Sequence, residues 1–153
     1  MAGQVYAARV MLPRKQVRGL IDAGLALARE LSLPPLSVVV LDAGGHAVVA
    51  EREDGCSPLR FPVAWGKANA ALGMGISSGT IGERNAERPA FLASVAAAAD
   101  GRFIPVAGGV LILDDDDCVM GAVGVSGASS EQDQQVAMHG IASQQWKAGL
   151  APD

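Results

Sequence analysis

The sequence predicts an α+β domain in which helices cover an antiparallel sheet. Three observations carry that expectation. Two pairs of short, β-branched apolar runs are each joined by turn residues, the pattern of β-hairpins. Helical spacing of apolar residues precedes the first pair, separates the two and follows the second. At 153 residues, with domains usually holding about 100–200 and with no linker or internal repeat, the elements belong to one domain spanning residues 1–153. Strands joined as hairpins form an antiparallel sheet, and three or more helices must cover it.

The first helix opens at Pro13, a residue suited to a first helical turn. Val17, Leu20, Ile21, Gly24, Leu27, Ala28 and Leu31 then form one stripe, and Pro34-Pro35 ends it. Leu36–Leu41 and His46–Glu53 flank the turn residues Asp42-Ala43-Gly44-Gly45, giving the first hairpin, which Asp54-Gly55 breaks. A helix from Ser57-Pro58 to about Met74 places Phe61, Ala64, Trp65, Ala68 and Leu72 on one face. The stretch from Ile76 to Arg88 is polar and Gly-rich, and Pro89 opens a short Ala-rich helix over Phe91–Ala99.

Residues 108–139 organise the remainder. Gly108-Gly109 leads into Val110–Leu113, an acidic turn Asp114–Asp117 reverses the chain, and Cys118–Val125 returns. Gly121 and Gly124 interrupt this strand, as they would where another backbone or a ligand comes close. Ser129 and Ser130 are candidate N-caps, with Gln132 and Asp133 at capping-box spacing. The closing helix is expected from about Ser130 to Lys147. A strand that ends on small residues at a helix mouth leaves backbone N–H groups free for a ligand.

Composition excludes several function classes. The net charge is −4 and the 12 Lys and Arg are scattered, so no basic stripe argues for nucleic acid. No apolar run approaches the ~20 residues of a membrane span, and the first residues lack the pattern of a signal peptide. Cys56 and Cys118 are too few for a disulfide scaffold and have no zinc spacing. A cytoplasmic protein is expected. With three Phe, two Trp, one Tyr and 19 Gly, the core is built by close backbone packing. A mean hydropathy of +0.27 points to apolar surface covered in an oligomer.

Several of these segments resemble one family. Val38-Val39-Val40-Leu41-Asp42-Ala43-Gly44-Gly45-His46 is similar to its V-V-D-x-x-G-x segment, Arg52-Glu53-Asp54-Gly55 to its R-x-D-G, and Lys67-Ala68 to its K-A. Gly108-Gly109-Val110 resembles G-G-x-P-I, Gly121 to Gly127 resembles G-A-I-G-V-S-G, and Asp133 with Ala137 resembles D-x-x-x-A. This is the pattern of the GlcG/HbpS family, the haem-degrading or DUF336 domain, related to the C-terminal domain of PduO-type proteins. It covers roughly the whole chain. Cys56, where Ala is common, and Leu111, where Pro is expected, depart from it. The resemblance implies a profilin-like α-β-α layered domain with a mostly antiparallel five-stranded sheet, assembly as a homo-oligomer, and for some members a bound haem or related tetrapyrrole.

The chemical candidates each admit two readings. Arg52 and Asp54, two apart at a strand end, face one side; they form either an ion pair closing the hairpin or an anion holder with an adjoining base. Lys67 is a solvated helix residue or a carrier of a substrate anion. His139 is a hydrogen-bonded core or interface residue, or an axial haem ligand and proton carrier. Gly108, Gly109, Ser126 and Gly127 permit tight turns, or form a backbone nest for an anion or carbonyl, with Asp133 beside them. Cys56 lies at a helix start that would stabilise a thiolate; Cys118, beside the acidic turn, is inert, and His46 is exposed.

Three functions remain open on these residues. One is a small-molecule-binding protein, with haem implied by the resemblance, His139 as metal ligand, and Arg52 or Lys67 on the propionates. Another is a cofactor-independent isomerase, tautomerase or lyase of a small organic acid. There Arg52 and Lys67 would hold the anion and Asp54 or His139 would move a proton. The third is an oligomeric accessory protein. Whether the chain is an enzyme is not decided by the sequence.

Overall fold

The computed structural model describes residues 3–153. In chain order the elements are α1 (Arg14–Glu30), β1 (Ser37–Asp42), β2 (Ala47–Arg52), α2 (Arg60–Met74), α3 (Ser78–Arg84), α4 (Pro89–Ala98), β3 (Gly109–Leu113), β4 (Val119–Ser126), α5 (Ser130–Ser143) and β5 (Lys147–Gly149). The expected α+β architecture is present. Its five strands lie in the order β2-β1-β4-β3-β5, and every neighbouring pair is antiparallel. The two hairpins therefore join through β1 and β4.

Alternation of side chains along the strands gives the sheet two different faces. Val38, Val40, Val110, Ile112, Val123 and Val125 point to the side covered by α1 and α5. Burying one such side chain is worth about 1.5–3 kcal/mol. The stripe Val17, Leu20, Ile21, Gly24 and Ala28 of α1 is buried here. The two helices pack closely because Gly24 lies against Val136 and Gly140 lies against Leu20.

Val39, Leu41, Leu111 and Ala122 point to the other side, onto Ala64, Ala68 and Ala71 of α2. Alanines on the helix and glycines on the strands let α2 sit unusually near the sheet. A Cβ on Gly124 would run into the Ala64 carbonyl, and one on Gly109 into that of Lys67. The glycines of β4 thus make room for the protein's own backbone rather than for a ligand. The outer side of α2 is covered in turn by Ile81 of α3, Phe103, and Leu92 and Val95 of α4.

Three elements differ from the sequence expectation. The closing helix stops at Ser143 rather than near Lys147, because Gln145 takes a left-handed φ of 59° and Lys147 enters the short strand β5. The stretch from Ile76 to Arg88 contains α3, capped by the Ser77 side chain, which accepts a hydrogen bond from the Thr80 amide at 3.2 Å. The helix expected from Ser57-Pro58 begins instead at Arg60, with Leu59 at its N-cap and no side-chain cap. Ser129 forms a capping box with Gln132, and Gly75 ends α2 with a left-handed φ of 73°.

Candidate functional site

Sequence candidates from both hairpins collect at one end of the sheet, where β1 begins and β2 and β4 finish. Ser37 is paired with Arg52 on one side and Ser126 on the other, so the three form a row across adjacent strands. By the alternation of the strands, that row faces the α2 side. Arg52 is exposed, whereas Ser37 and Ser126 are fully buried. The Ser126 Oγ has no hydrogen-bond partner, and buried hydroxyls are rarely left so.

The Cys56 thiol belongs to the same corner. It is buried, and its Sγ lies 3.3 Å from the Ser37 Oγ. Neither Ser37 nor this contact was singled out from the sequence. Ser37 stands at the start of an apolar strand, and only the strand register places it between Arg52 and Ser126. Asp54 is exposed just beyond β2, followed by the Gly55 turn at φ 84°. Among the described residues Arg52 and Asp54 do not pair with each other. The residue that ties this hairpin down is Glu53, whose carboxylate accepts the Leu36 amide at 2.9 Å and Arg29 at 3.2 Å.

Behind the row lies a second charged group of a different kind. Lys67, from α2, is 3 % exposed, which corrects the expectation of a solvated helix residue. Its ammonium donates to the Val125 carbonyl at 3.0 Å and to Asp133 Oδ2 at 3.0 Å. The other carboxylate oxygen, Asp133 Oδ1, accepts the Ala128 amide at 3.0 Å. Gly108, with φ 130°, leaves the space through which the lysine side chain passes, while Gly109 lies against the Lys67 backbone. Gly127, with φ 148°, packs against Pro35 and Leu36. Lys67, Asp133, Gly108 and Gly109 do meet, but the two charges are spent on one another and on the β4–α5 connection, and the Gly109 amide donates to Ser78 Oγ at 2.7 Å. A lone buried charge costs several kcal/mol, so this lysine and aspartate depend on each other.

His139 is elsewhere. Together with Glu131, Gln135 and Ala142 it forms the exposed stripe of α5, and α5 covers the face opposite to Arg52. The sheet therefore separates the imidazole from the guanidinium. His46 is exposed in the β1–β2 turn, with its Nδ1 3.3 Å from Asp42, as expected for a hairpin residue.

Two cavities formed by the described residues are lined by no histidine. The larger, about 500 Å³, lies beside β5 and is floored by Leu111, Leu113, Val119 and Leu150, with Asp117 and Lys147 at its rim. The smaller, about 340 Å³, lies between α2 and α4. Among the described residues no group of three or more His, Cys, Asp or Glu side chains could hold a metal ion. No helix there is long and apolar enough to cross a membrane.

Comparison with known proteins agrees with this fold. Residues 12–142 match the family model described as haem degrading protein HbpS-like. No curated protein matches the sequence. A solved structure described as a PduOC–heme complex is 24% identical, covering 90% of this chain and 98% of that one at a TM-score of 0.80. Klebsiella pneumoniae protein ORFY is 22% identical, covering 94% and 98% of the two chains, with a TM-score of 0.80. A double mutant of Streptomyces reticuli HbpS is 24% identical, covering 93% and 97%, with a TM-score of 0.74.

Proposed function

The chain belongs to the haem-degrading, HbpS-like family, and from that premise we propose that it is a small-molecule-binding protein whose ligand is haem or a related tetrapyrrole. His139 carries the reading within this chain. Its imidazole is exposed on a well-capped helix, and imidazole is a common axial ligand of haem iron. A relative of the same fold is described as a complex with heme.

A porphyrin also needs an apolar slot for its ring. The neighbours of His139 on the solvent side of α5 are Glu131, Gln135 and Ala142, which offer no such wall. Arg52 lies across the sheet and Lys67 is held by Asp133, so neither meets the propionates of a group held by His139 of the same chain. A single chain does not fit haem, and in this reading another copy facing α5 supplies the apolar wall. Hemin titration followed by the Soret band tests this directly. A saturable shift is expected for the wild type and for His46→Ala, and its loss for His139→Ala. No saturable shift in the wild type would sink the haem reading.

A second reading has one observation behind it, the unpartnered Ser126 Oγ beside Ser37, with Arg52 one strand further along the row. In that reading the protein is a cofactor-independent enzyme acting on a small organic acid. Arg52 holds the anion, Asp54 moves the proton, and Ser126 hydrogen-bonds a ligand oxygen. Calorimetric titration with a panel of small carboxylates tests it, since Arg52→Ala should abolish any binding found. Unchanged binding in that variant would remove the reading.

A further inference from the structure

The segment before α1 is the least accounted for part of the molecule. Residues 3–11 run without secondary structure, yet they carry Val5, Tyr6, Val10 and Met11, exposed to 89, 104, 70 and 48 %. Four large apolar side chains in water over so short a stretch are unusual unless something covers them. At about 3.3 Å per extended residue, nine residues can reach roughly 30 Å. The arm is anchored at Leu12, which is buried against Gly121, at the end of the sheet that carries the acidic turn.

A surface of complementary character lies at that same end. The 500 Å³ groove has an apolar floor of Leu111, Leu113, Val119 and Leu150. It runs along β5, which is an edge strand pairing only with β3. An edge of this kind can accept one more extended chain. Its rim carries one cation, Lys147, paired with Asp117, and is acidic on balance, with Asp153 in the groove wall and Asp114–Asp116 in the adjoining turn. The arm, in contrast, carries Arg9 and no acidic residue among positions 3–11.

We propose that residues 3–11 of one copy lie along β5 in this groove of a second copy, with Arg9 against the acidic turn. The root of the arm and the groove are at one end of the sheet: Gly121 is paired with Ile112, and the next β3 residue, Leu113, lines the groove. Two copies meeting there around a two-fold axis exchange arms reciprocally, which closes the assembly. The exchange is independent of any ligand at His139.

The test uses the native Cys118, which is free and exposed in the acidic turn. In the full chain, Arg9→Cys should form an intermolecular disulfide under mild oxidation, and Arg9→Cys with Cys118→Ser should not. Deleting residues 3–11 should reduce the mass measured by light scattering at least twofold, with the far-ultraviolet circular dichroism unchanged. A monomeric wild type, an unchanged mass after deletion, or a disulfide formed within one chain would each overturn the proposal. If the deletion were to unfold the protein, the disulfide experiment in the full-length chain decides alone.

Discussion

Lys67 and Lys147 both meet an aspartate, the first at the inner end of the sheet and the second at the acidic turn. The side chains of Lys67 and Asp133 are 4 % and 1 % exposed, whereas those of Lys147 and Asp117 are 48 % and 67 % exposed. In the first pair water is replaced by fixed partners, and each charge would be stranded without the other. In the second, water already solvates both charges, so the contact adds little. The same two residue types thus hold a strand end together in one place and decorate a turn in the other. Burial makes the difference.

The largest effect is expected where that burial is broken. Lys67→Ala or Asp133→Ala should each destabilise the protein by about 3–5 kcal/mol in urea unfolding, because a single buried charge remains. Lys67→Met with Asp133→Leu should recover much of that loss, since no charge is then left in the interior. A single substitution costing under about 1 kcal/mol would mean that water reaches the pair, and Lys67 would again be a candidate for holding an anion.

Close approach of backbones at the same sheet can be broken more gently. Gly124→Ala places a methyl group against the Ala64 carbonyl, and forcing extra volume into a packed core costs about 1–3 kcal/mol. Gly73→Ala, in the same helix α2 but with nothing near the new methyl, should stabilise by about 0.5–1 kcal/mol. Thermal unfolding of the two variants compares them. A Gly124→Ala protein as stable as wild type would show that α2 can lift from β4.

These comparisons also explain how much could be read from the sequence. The hairpins, α1 and the capping box of α5 rest on local signals, namely β-branched runs, apolar periodicity and Ser129 with Gln132, and those signals act over a few residues. Strand β5 was missed because Lys147-Ala148-Gly149 has no strand signal of its own; it is a strand because β3 offers it an edge. The fate of Lys67 was equally hidden. Its chain neighbours are Gly66 and Ala68, and only Asp133, far along the sequence, makes its burial tolerable. Gly108, Gly109, Ser126 and Asp133 were legible as a group through the family resemblance, but whether they face a ligand or one another depends on packing that no local pattern records. His139 and Arg52 were assigned to one pocket because nothing in the sequence says which face of the sheet a helix will cover.

A smaller effect separates stability from binding at the polar row. Ser126→Ala removes a buried hydroxyl that has no partner, and deleting an unsatisfied group should be neutral or stabilise by up to about 1 kcal/mol. If the hydroxyl serves a ligand, the same variant loses affinity while its unfolding midpoint stays or rises. A clear loss of stability would instead show that the Oγ is satisfied by an internal water.

The smallest effect belongs to the exposed pair, and pH is the way to see it. The hydrogen bond to Asp117 raises the Lys147 pKa above the usual 10.5; partial desolvation opposes this, and the charges of Asp117, Asp115 and Asp114 add to it. The folded protein therefore holds this proton more tightly than the unfolded chain does. Whatever stability the pair contributes is fully present below about 10.5 and is lost as the pH rises through the higher, folded value. Wild type and Lys147→Met should differ slightly in unfolding midpoint at neutral pH and low salt, and converge at strongly alkaline pH. Added salt should remove the difference at neutral pH as well, since exposed charges are screened over about 10 Å at 0.1 M. A gap that survives high salt would mean that the pair contributes more than an exposed ion pair can.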